Sequence, residues 1–279
     1  MEESMLLLTR AISAIILITL IISGCGQNFG DISNDQLLQK IEERIAYRSE
    51  LIKDFSCELF TTRLSDSPRG EMKSEMKYAF YKKMPDKIKT EFIEGLRNGE
   101  KISKEDFANF GNRRPNLKQG GQSREGQRRD GQPRNGRGRG MFNRGRESQF
   151  DLTKYLSGIK LIAAEKVDTV FAYKAKIKIS DKKDRLKEVT LWIDKTTFDV
   201  IKLEGEYRKG ERIESGSLSK KYAPVGPEGA WMLTENRSET FMVFDTPMGE
   251  FEMESLSTST YSNYLFNLNL SDSLFVEDK

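Results

Sequence analysis

Side chains able to carry covalent or acid-base chemistry are few in this chain and widely separated. The 279 residues include no histidine. That removes Ser-His-Asp and Cys-His nucleophilic sites, histidine metal ligation and an imidazole pH switch. Two cysteines, Cys25 and Cys57, are too few for a thiolate metal cluster or a disulfide framework. Carboxylates are plentiful, and a paired-carboxylate hydrolase needs only two of them, but no spacing singles out a pair. Asp194, in Trp192-Ile193-Asp194-Lys195, reads as the start of a turn between strands. Gly226-Pro227-Glu228-Gly229 lacks the Gly-Lys-Ser/Thr ending of a phosphate-binding loop. The expectation is a protein that is not an enzyme, with no metal and no cofactor.

Cys25 is the residue whose surroundings point to a definite chemistry. Ala11–Ile22 is an apolar run preceded by Arg10 and followed by Ser23-Gly24-Cys25. As a helix it would rise about 18 Å, short of the ~30 Å hydrocarbon core of a bilayer. It fits instead the apolar region of a secretory signal ending in small residues. Ile22-Ser23-Gly24-Cys25 is similar to the lipobox of bacterial lipoproteins, which implies a signal peptide over 1–24, cleavage after Gly24 and lipidation of Cys25. Several acyl chains, at about 0.8 kcal/mol per buried methylene, hold a protein stably to a membrane. Residues 25–32 then form a lipidated tether. Cys57 lies in the alternating run Phe55-Ser56-Cys57-Glu58-Leu59 and reads as a buried small hydrophobe.

Charge is unevenly distributed. The chain has 46 basic and 43 acidic residues, a net +3, yet residues 111–147 hold 11 basic against 3 acidic. That segment is +8 and leaves −5 for the rest of the chain. Between Gly111 and Gly140 its one large apolar side chain is Leu117, so it has nothing to offset the entropy of ordering and is expected to be disordered. Arginine forks suit phosphate groups, and basic clusters near a bilayer gain about 1 kcal/mol per charge. Arg128, Arg129, Arg134, Arg137, Arg139, Arg144 and Arg146 are therefore candidate contacts to anionic lipid or to a polyanionic envelope polymer. Nucleic acid is not an expected partner, because the segment lacks an aromatic residue before Phe142 and the chain carries an export signal. A solvated insertion without a specific partner is the plainer reading.

Periodicity supplies the elements. Ser33-Asn34-Asp35-Gln36 is a capping box, and Leu38, Ile41, Ile45 and Ile52 recur on one face of an amphipathic helix of about 20 residues. From Phe55 the period is two. Phe55/Cys57/Leu59, Met76/Tyr78/Phe80 and Ile88/Thr90/Phe92 mark three strands, with a turn at Met84-Pro85-Asp86. A short helical turn over 151–157 groups Leu152, Tyr155 and Leu156, closed by Gly158. Strands follow at Phe171/Tyr173/Ala175/Ile177/Ile179, Val189/Leu191/Ile193, Ile201/Leu203 and from Ile213. Trp231/Leu233, Met242/Phe244, Phe251/Met253 and about 260–267 complete the set. Sequential strands joined by short turns favour antiparallel pairing. The fold class is α+β, and a sheet of roughly ten strands curls strongly, so that it could enclose an apolar ligand.

Several stretches resemble the periplasmic lipoprotein carriers of the LolA/LolB type. They are Ile52-Lys53-Asp54-Phe55-Ser56, the strand-turn-strand Ala79-Phe80-Tyr81-Lys82-Lys83-Met84-Pro85-Asp86-Lys87-Ile88-Lys89, Val189-Thr190-Leu191-Trp192-Ile193-Asp194-Lys195, Tyr261-Ser262-Asn263-Tyr264 and Leu270-Ser271-Asp272-Ser273-Leu274-Phe275. The resemblance implies an unclosed β-barrel over 33–279: a strongly curved antiparallel sheet of about eleven strands, interrupted by 111–147, with an N-terminal helix and a short second helix on the open side. It also implies an apolar cavity for the acyl chains of lipoproteins or lipids. Candidate cavity residues are Leu59, Met76, Tyr78, Phe80, Ile88, Phe92, Leu191, Ile193, Phe251 and Met253. Strand parity alone does not say which face they occupy. The expected location is the cell envelope, anchored to the outer membrane and facing the periplasm. A second reading is an envelope-stress sensor or scaffold lipoprotein of the same fold that binds proteins without lipid transfer; a third is an adhesion protein acting through the basic segment. A labelled fatty acid is expected to be incorporated into the wild-type chain in bacterial cells and to be absent after Cys25→Ser, as read on a denaturing gel.

Overall fold

The computed structural model describes residues 32–68, 70–110, 152–210, 212–246 and 249–276, with the side chains of 108–110 and 246 excepted. Helix α1 spans Asn34–Leu51 and starts at the expected capping box: Gln36 N–H donates to Ser33 Oγ, and the Gln36 side chain accepts from Ser33 N–H. Leu37 and Ile41 are its fully buried residues. Leu38, taken from periodicity as part of the buried stripe, is partly buried beside them, and Ile52 caps the helix and joins a different cluster.

Eleven strands among the described residues form one sheet. They are β1 (Asp54–Asp66), β2 (Met72–Lys83), β3 (Lys87–Arg97), β4 (Glu100–Ile102), β5 (Ile159–Val167), β6 (Val170–Lys178), β7 (Leu186–Asp194), β8 (Val200–Tyr207), β9 (Ile213–Ala223), β10 (Met232–Thr246) and β11 (Gly249–Phe266). The order is β4-β3-β2-β1-β11-β10-β9-β8-β7-β6-β5, and every neighbouring pair is antiparallel. The first and last of the described strands, β1 and β11, pair with one another inside the sheet. The two ends of the sheet, β4 and β5, have no described pairing to one another, so the barrel is not closed.

Periodicity does not anticipate β4, β5 or a second helix, α2 (Lys104–Phe110). It also divides what the structure joins. Met242/Phe244 and Leu233 lie on one 15-residue strand, and Phe251/Met253 runs on to Phe266 in one 18-residue strand. Between those apolar ends, Ser257–Thr260 and Thr234–Thr240 are polar on both faces, so the alternation that signals a strand vanishes while the pairing continues. Tyr173, Ala175, Ile177 and Ile179 face the core as expected, but Phe171 is 66% exposed at the start of β6.

One face of the sheet carries the helices. Leu37 and Ile41 pack on Val189, Leu191, Ile193 and Leu203, joined by Leu156 from the 3₁₀ segment Leu152–Gly158. Fully burying such a side chain contributes about 1.5–3 kcal/mol. Polar ties fix the angle of α1: Asn34 Oδ1 accepts from Leu161 N–H at 2.8 Å, and Arg48 donates to Trp231 O at 3.0 Å. Arg44 donates through Nε to Asp199 Oδ2 at 2.8 Å, with a second guanidinium nitrogen also 2.8 Å away. Asp199 is 3% exposed and sits in the β7–β8 turn, where Asp194 Oδ1 accepts from Thr196 N–H as expected of a turn starter. The C-terminal residues are held by buried Asp54, which accepts from Leu268 and Leu270 N–H.

Removing the cation of the Arg44–Asp199 pair leaves a buried carboxylate without its partner. Arg44→Met is expected to lower stability by about 3–5 kcal/mol, read as a shifted urea midpoint. Arg44→Met with Asp199→Leu should recover most of that loss.

Candidate functional site

Register decides which face the candidate residues occupy. On β1–β3, Leu59 is opposite both Tyr78 and Tyr261, Tyr78 is opposite Phe92, and Phe80 is opposite Cys57. Met76 lies between Thr61 and Gly95, and Ile88 beside Lys82. On the central hairpin Phe251 pairs with Phe244 and Met253 with Met242. Following the pairs across β9 and β8, Leu218 meets Gly205 and Leu203 meets Leu191. All ten candidates therefore share the helix-bearing face.

They do not share an environment. Leu191 and Ile193 are 0% exposed in the cluster beneath α1 and belong to the packed core. Of the remaining eight, seven are half-buried and Ile88 is exposed at 40%. Six of these, Leu59, Met76, Tyr78, Phe80, Ile88 and Phe92, form a continuous apolar surface over β1–β3. Phe251 and Met253 lie about 27 Å away along the strands, at a rise of ~3.4 Å per residue.

The intervening rows are small and hydrophilic. Thr61 Oγ1 and Ser259 Oγ are 3.0 Å apart, and Arg63 Nε donates to Ser255 Oγ at 3.3 Å. Ser65, Ser255 and Ser259 are themselves buried.

The apolar surface over β1–β3 is partly roofed by α2. Ser103 caps this helix, accepting from Asp106 N–H at 2.9 Å. Phe107 then stacks on Phe92 with ring centroids 4.4 Å apart and meets Tyr78 edge-on at 6.0 Å. Gly95 makes the arrangement possible, since a Cβ there would meet Phe92 Cε2 at 3.2 Å and Glu75 O at 3.1 Å. Tyr78 O–H donates to Met76 Sδ at 2.8 Å, and burial pushes its phenol up to about 12. Phe80 touches Tyr261 and Phe55, closing the surface toward Cys57 and Tyr264. Periodicity misses Phe107, Tyr261, Met242 and Phe244 as members of these surfaces. The pattern Ser103-x-x-Asp106 ahead of Phe107 is the signal that could have located α2.

Chemically this surface is apolar. It offers aromatic edges, a thioether and few hydrogen-bonding groups, and no cluster of His, Cys, Asp or Glu able to hold a metal is found among the described residues. Cys25 and Arg128, Arg129, Arg134, Arg137, Arg139, Arg144 and Arg146 lie outside the described residues.

No family model matches the sequence, and no curated protein matches it. Solved structures do show similarity in the path of the chain. A domain assigned as an outer membrane lipoprotein-sorting protein from Vibrio parahaemolyticus is 15% identical, covers 87% of this chain and 97% of its own, and has a TM-score of 0.48. A DUF1329 family protein from Desulfovibrio piger is 13% identical, with 86% and 95% covered and a TM-score of 0.42. A LolA superfamily protein from Nitrosomonas europaea is 16% identical, with 88% and 98% covered and a TM-score of 0.39. Likeness of this degree says nothing about what the chain binds.

Beside the surface, burial pushes the Cys57 thiol up to about 12 from an ordinary value of 9.0. The folded chain holds this proton more tightly than the unfolded chain, so the stability it contributes is complete below pH 9 and is lost as pH rises toward 12. Urea midpoints measured between pH 9 and 12 should fall for the wild type and fall less steeply for Cys57→Ala. In the native state Cys57 should resist a thiol reagent at pH 8 and react fully once unfolded.

Proposed function

We propose that this chain is a lipid-anchored protein of the bacterial envelope that takes up acyl chains of lipoproteins or lipids on the helix-bearing face of β1–β3. The observation that carries this reading is the incompletely buried apolar surface of Leu59, Met76, Tyr78, Phe80, Ile88 and Phe92, roofed in part by Phe107. A core residue on this sheet is fully buried; these are not, though they are contiguous and share one face. Moving an acyl chain between such a surface and a bilayer exchanges one water-excluding environment for another, at ~25 cal/mol per Å² in either. Transfer is then close to neutral and is directed by small differences in affinity.

In this reading Cys25 is lipidated and holds the chain to the outer membrane facing the periplasm, and the segment 111–147 meets anionic lipid or an anionic envelope polymer through its arginines. The sequence supports both, through Ile22-Ser23-Gly24-Cys25 and through the +8 charge of the segment. The alternative, a sensor or scaffold that binds envelope proteins without lipid, makes a different prediction at the same surface.

A long-chain fluorescent fatty acid should bind the anchor-free protein saturably, and Met76→Lys should weaken binding at least tenfold by placing an ammonium among the apolar contacts. Mass spectra of extracts from the purified protein should show co-purified lipid. Absence of both fatty-acid binding and lipid would leave the scaffold reading in its place.

A further inference from the structure

Followed along the strands, the apolar surface over β1–β3 gives way to a polar row on the same face. In that row Arg63 of β1 stands between Ser74 of β2 and Ser257 of β11, its direct cross-strand partners. Two residues separate this row from that of Met76, about 7 Å at ~3.4 Å per residue. Arg63 is exposed, whereas Ser74 and Ser257 are half-buried and the next serines in line, Ser65 and Ser255, are buried.

Charge on this part of the face has one sign. Among the described residues, the inward positions of β1, β2, β3, β10 and β11 include Arg63, Lys82 and Arg97 and no carboxylate. Outward positions of the same strands mix lysine with glutamate and pair them, as Lys77 with Glu58 and Lys89 with Glu91. The three inward cations differ in their surroundings. Arg97 donates to Met72 Sδ at 2.9 Å and is opposite Glu100 of β4. Lys82 lies beside Ile88, at the other end of the apolar surface and away from the serines. Arg63 makes one described hydrogen bond, from Nε to Ser255 Oγ at 3.3 Å, longer than the usual ~2.7–3.2 Å, and no carboxylate among the described residues reaches it. Its planar fork of donors matches a carboxylate or a phosphate.

We propose that Arg63 receives the acid group of an anionic amphiphile, a carboxylate or a phosphate monoester, whose aliphatic chain lies on Leu59, Met76, Tyr78 and Phe92. Resting on the acyl-chain reading of the same surface, this narrows its ligands from lipids in general to those with an ionised end. The two parts of such a molecule meet the face in the right order. The chain leaves water for apolar side chains, and the acid exchanges water for a guanidinium and serine hydroxyls. Bonds of that charge-assisted kind are about twice as strong as neutral ones. The reverse placement would lay the chain over Ser74, Ser255 and Ser257 and bring the acid among Phe80 and Ile88.

Decanoate, decyl phosphate, decanol and decylammonium, used at pH 8 to displace a fluorescent long-chain fatty acid from the full chain, separate the two contributions. Burial of the chain alone ranks decanol first, because its uncharged end is the cheapest to take out of water. With Arg63 engaged, decanoate or decyl phosphate should act at a concentration about tenfold below decanol, and decylammonium should be the weakest. The better of the two acids identifies the headgroup. Arg63→Gln should remove the preference for the acids and leave competition by decanol unchanged, while Lys82→Gln should keep the preference. If decanol competes as well as both acids, or if the preference survives Arg63→Gln, the proposal is overturned and the acyl-chain reading stands. If the fluorescent fatty acid does not bind, that reading fails and the role of Arg63 fails with it. The ranking of the four ligands is read on the unaltered chain, so the outcome does not depend on the folding of a variant.

Discussion

One helix cannot cover this sheet. Eleven strands spaced ~4.8 Å apart extend about 48 Å across, whereas α1, with 18 residues, is about 27 Å long and ~10 Å wide. Leu37 and Ile41 therefore complete a dry core only over the half of the sheet that contains β5–β9. On the other half the end of α1 seals only a small cluster of Ile52 with Phe55, Cys57 and Met232, and the rest of the same face is left to Phe107 and to contacts among the sheet's own aromatic residues. The mismatch in area is the source of the half-buried apolar surface, and everything proposed about binding on that face descends from it.

The remainder of the sheet deals with water in two other ways. In the middle rows of β1, β10 and β11 the inward positions are mostly serine and threonine, with Arg63 and Asn236 among them, and hydroxyls bond to one another across the strands. On the reverse face of β6–β10 the outward positions are lysine and glutamate in cross-strand ion pairs. Trp192 lies buried there with Lys174 and Lys202 on its ring and its indole N–H donating to Glu165 Oε1 at 2.6 Å. A single sheet so carries an apolar region, a hydroxyl region and a charged region, each fixed by which face and which row a residue occupies.

Topology explains how a strongly basic segment of 37 residues fits into such a chain. It lies between α2, which follows β4, and the 3₁₀ segment that precedes β5, and these strands are the two ends of the sheet. Among the described residues β4 and β5 do not pair with one another, so no hairpin has to form between the elements that flank the segment. The central ladder, by contrast, joins the first strand to the last: Phe55 pairs with Phe266, and Asp54 holds the residues that follow. Pairing over so long a stretch of chain makes assembly of the sheet dependent on contacts of high sequence separation.

Local patterns were legible wherever one face is apolar and the other polar. The capping box at Ser33, the turn at Asp194, the buried Cys57 and the core strands around Leu191 and Tyr173 all follow from short-range spacing. Legibility failed where both faces are hydrophilic, as in Ser257–Thr260, and at the short helix α2, whose described contacts to the sheet run through Phe107. The sequence by itself determined the residue types of each region and the positions of opposite parity on each strand. Only the tertiary structure decided that ten candidate positions face one way, that Leu191 and Ile193 are sealed under α1 while Met76 and Phe92 are not, and that Glu188 stands beside Glu206. Those outcomes depend on register between strands and on the reach of a helix, which link residues far apart in the chain and leave no mark in local spacing.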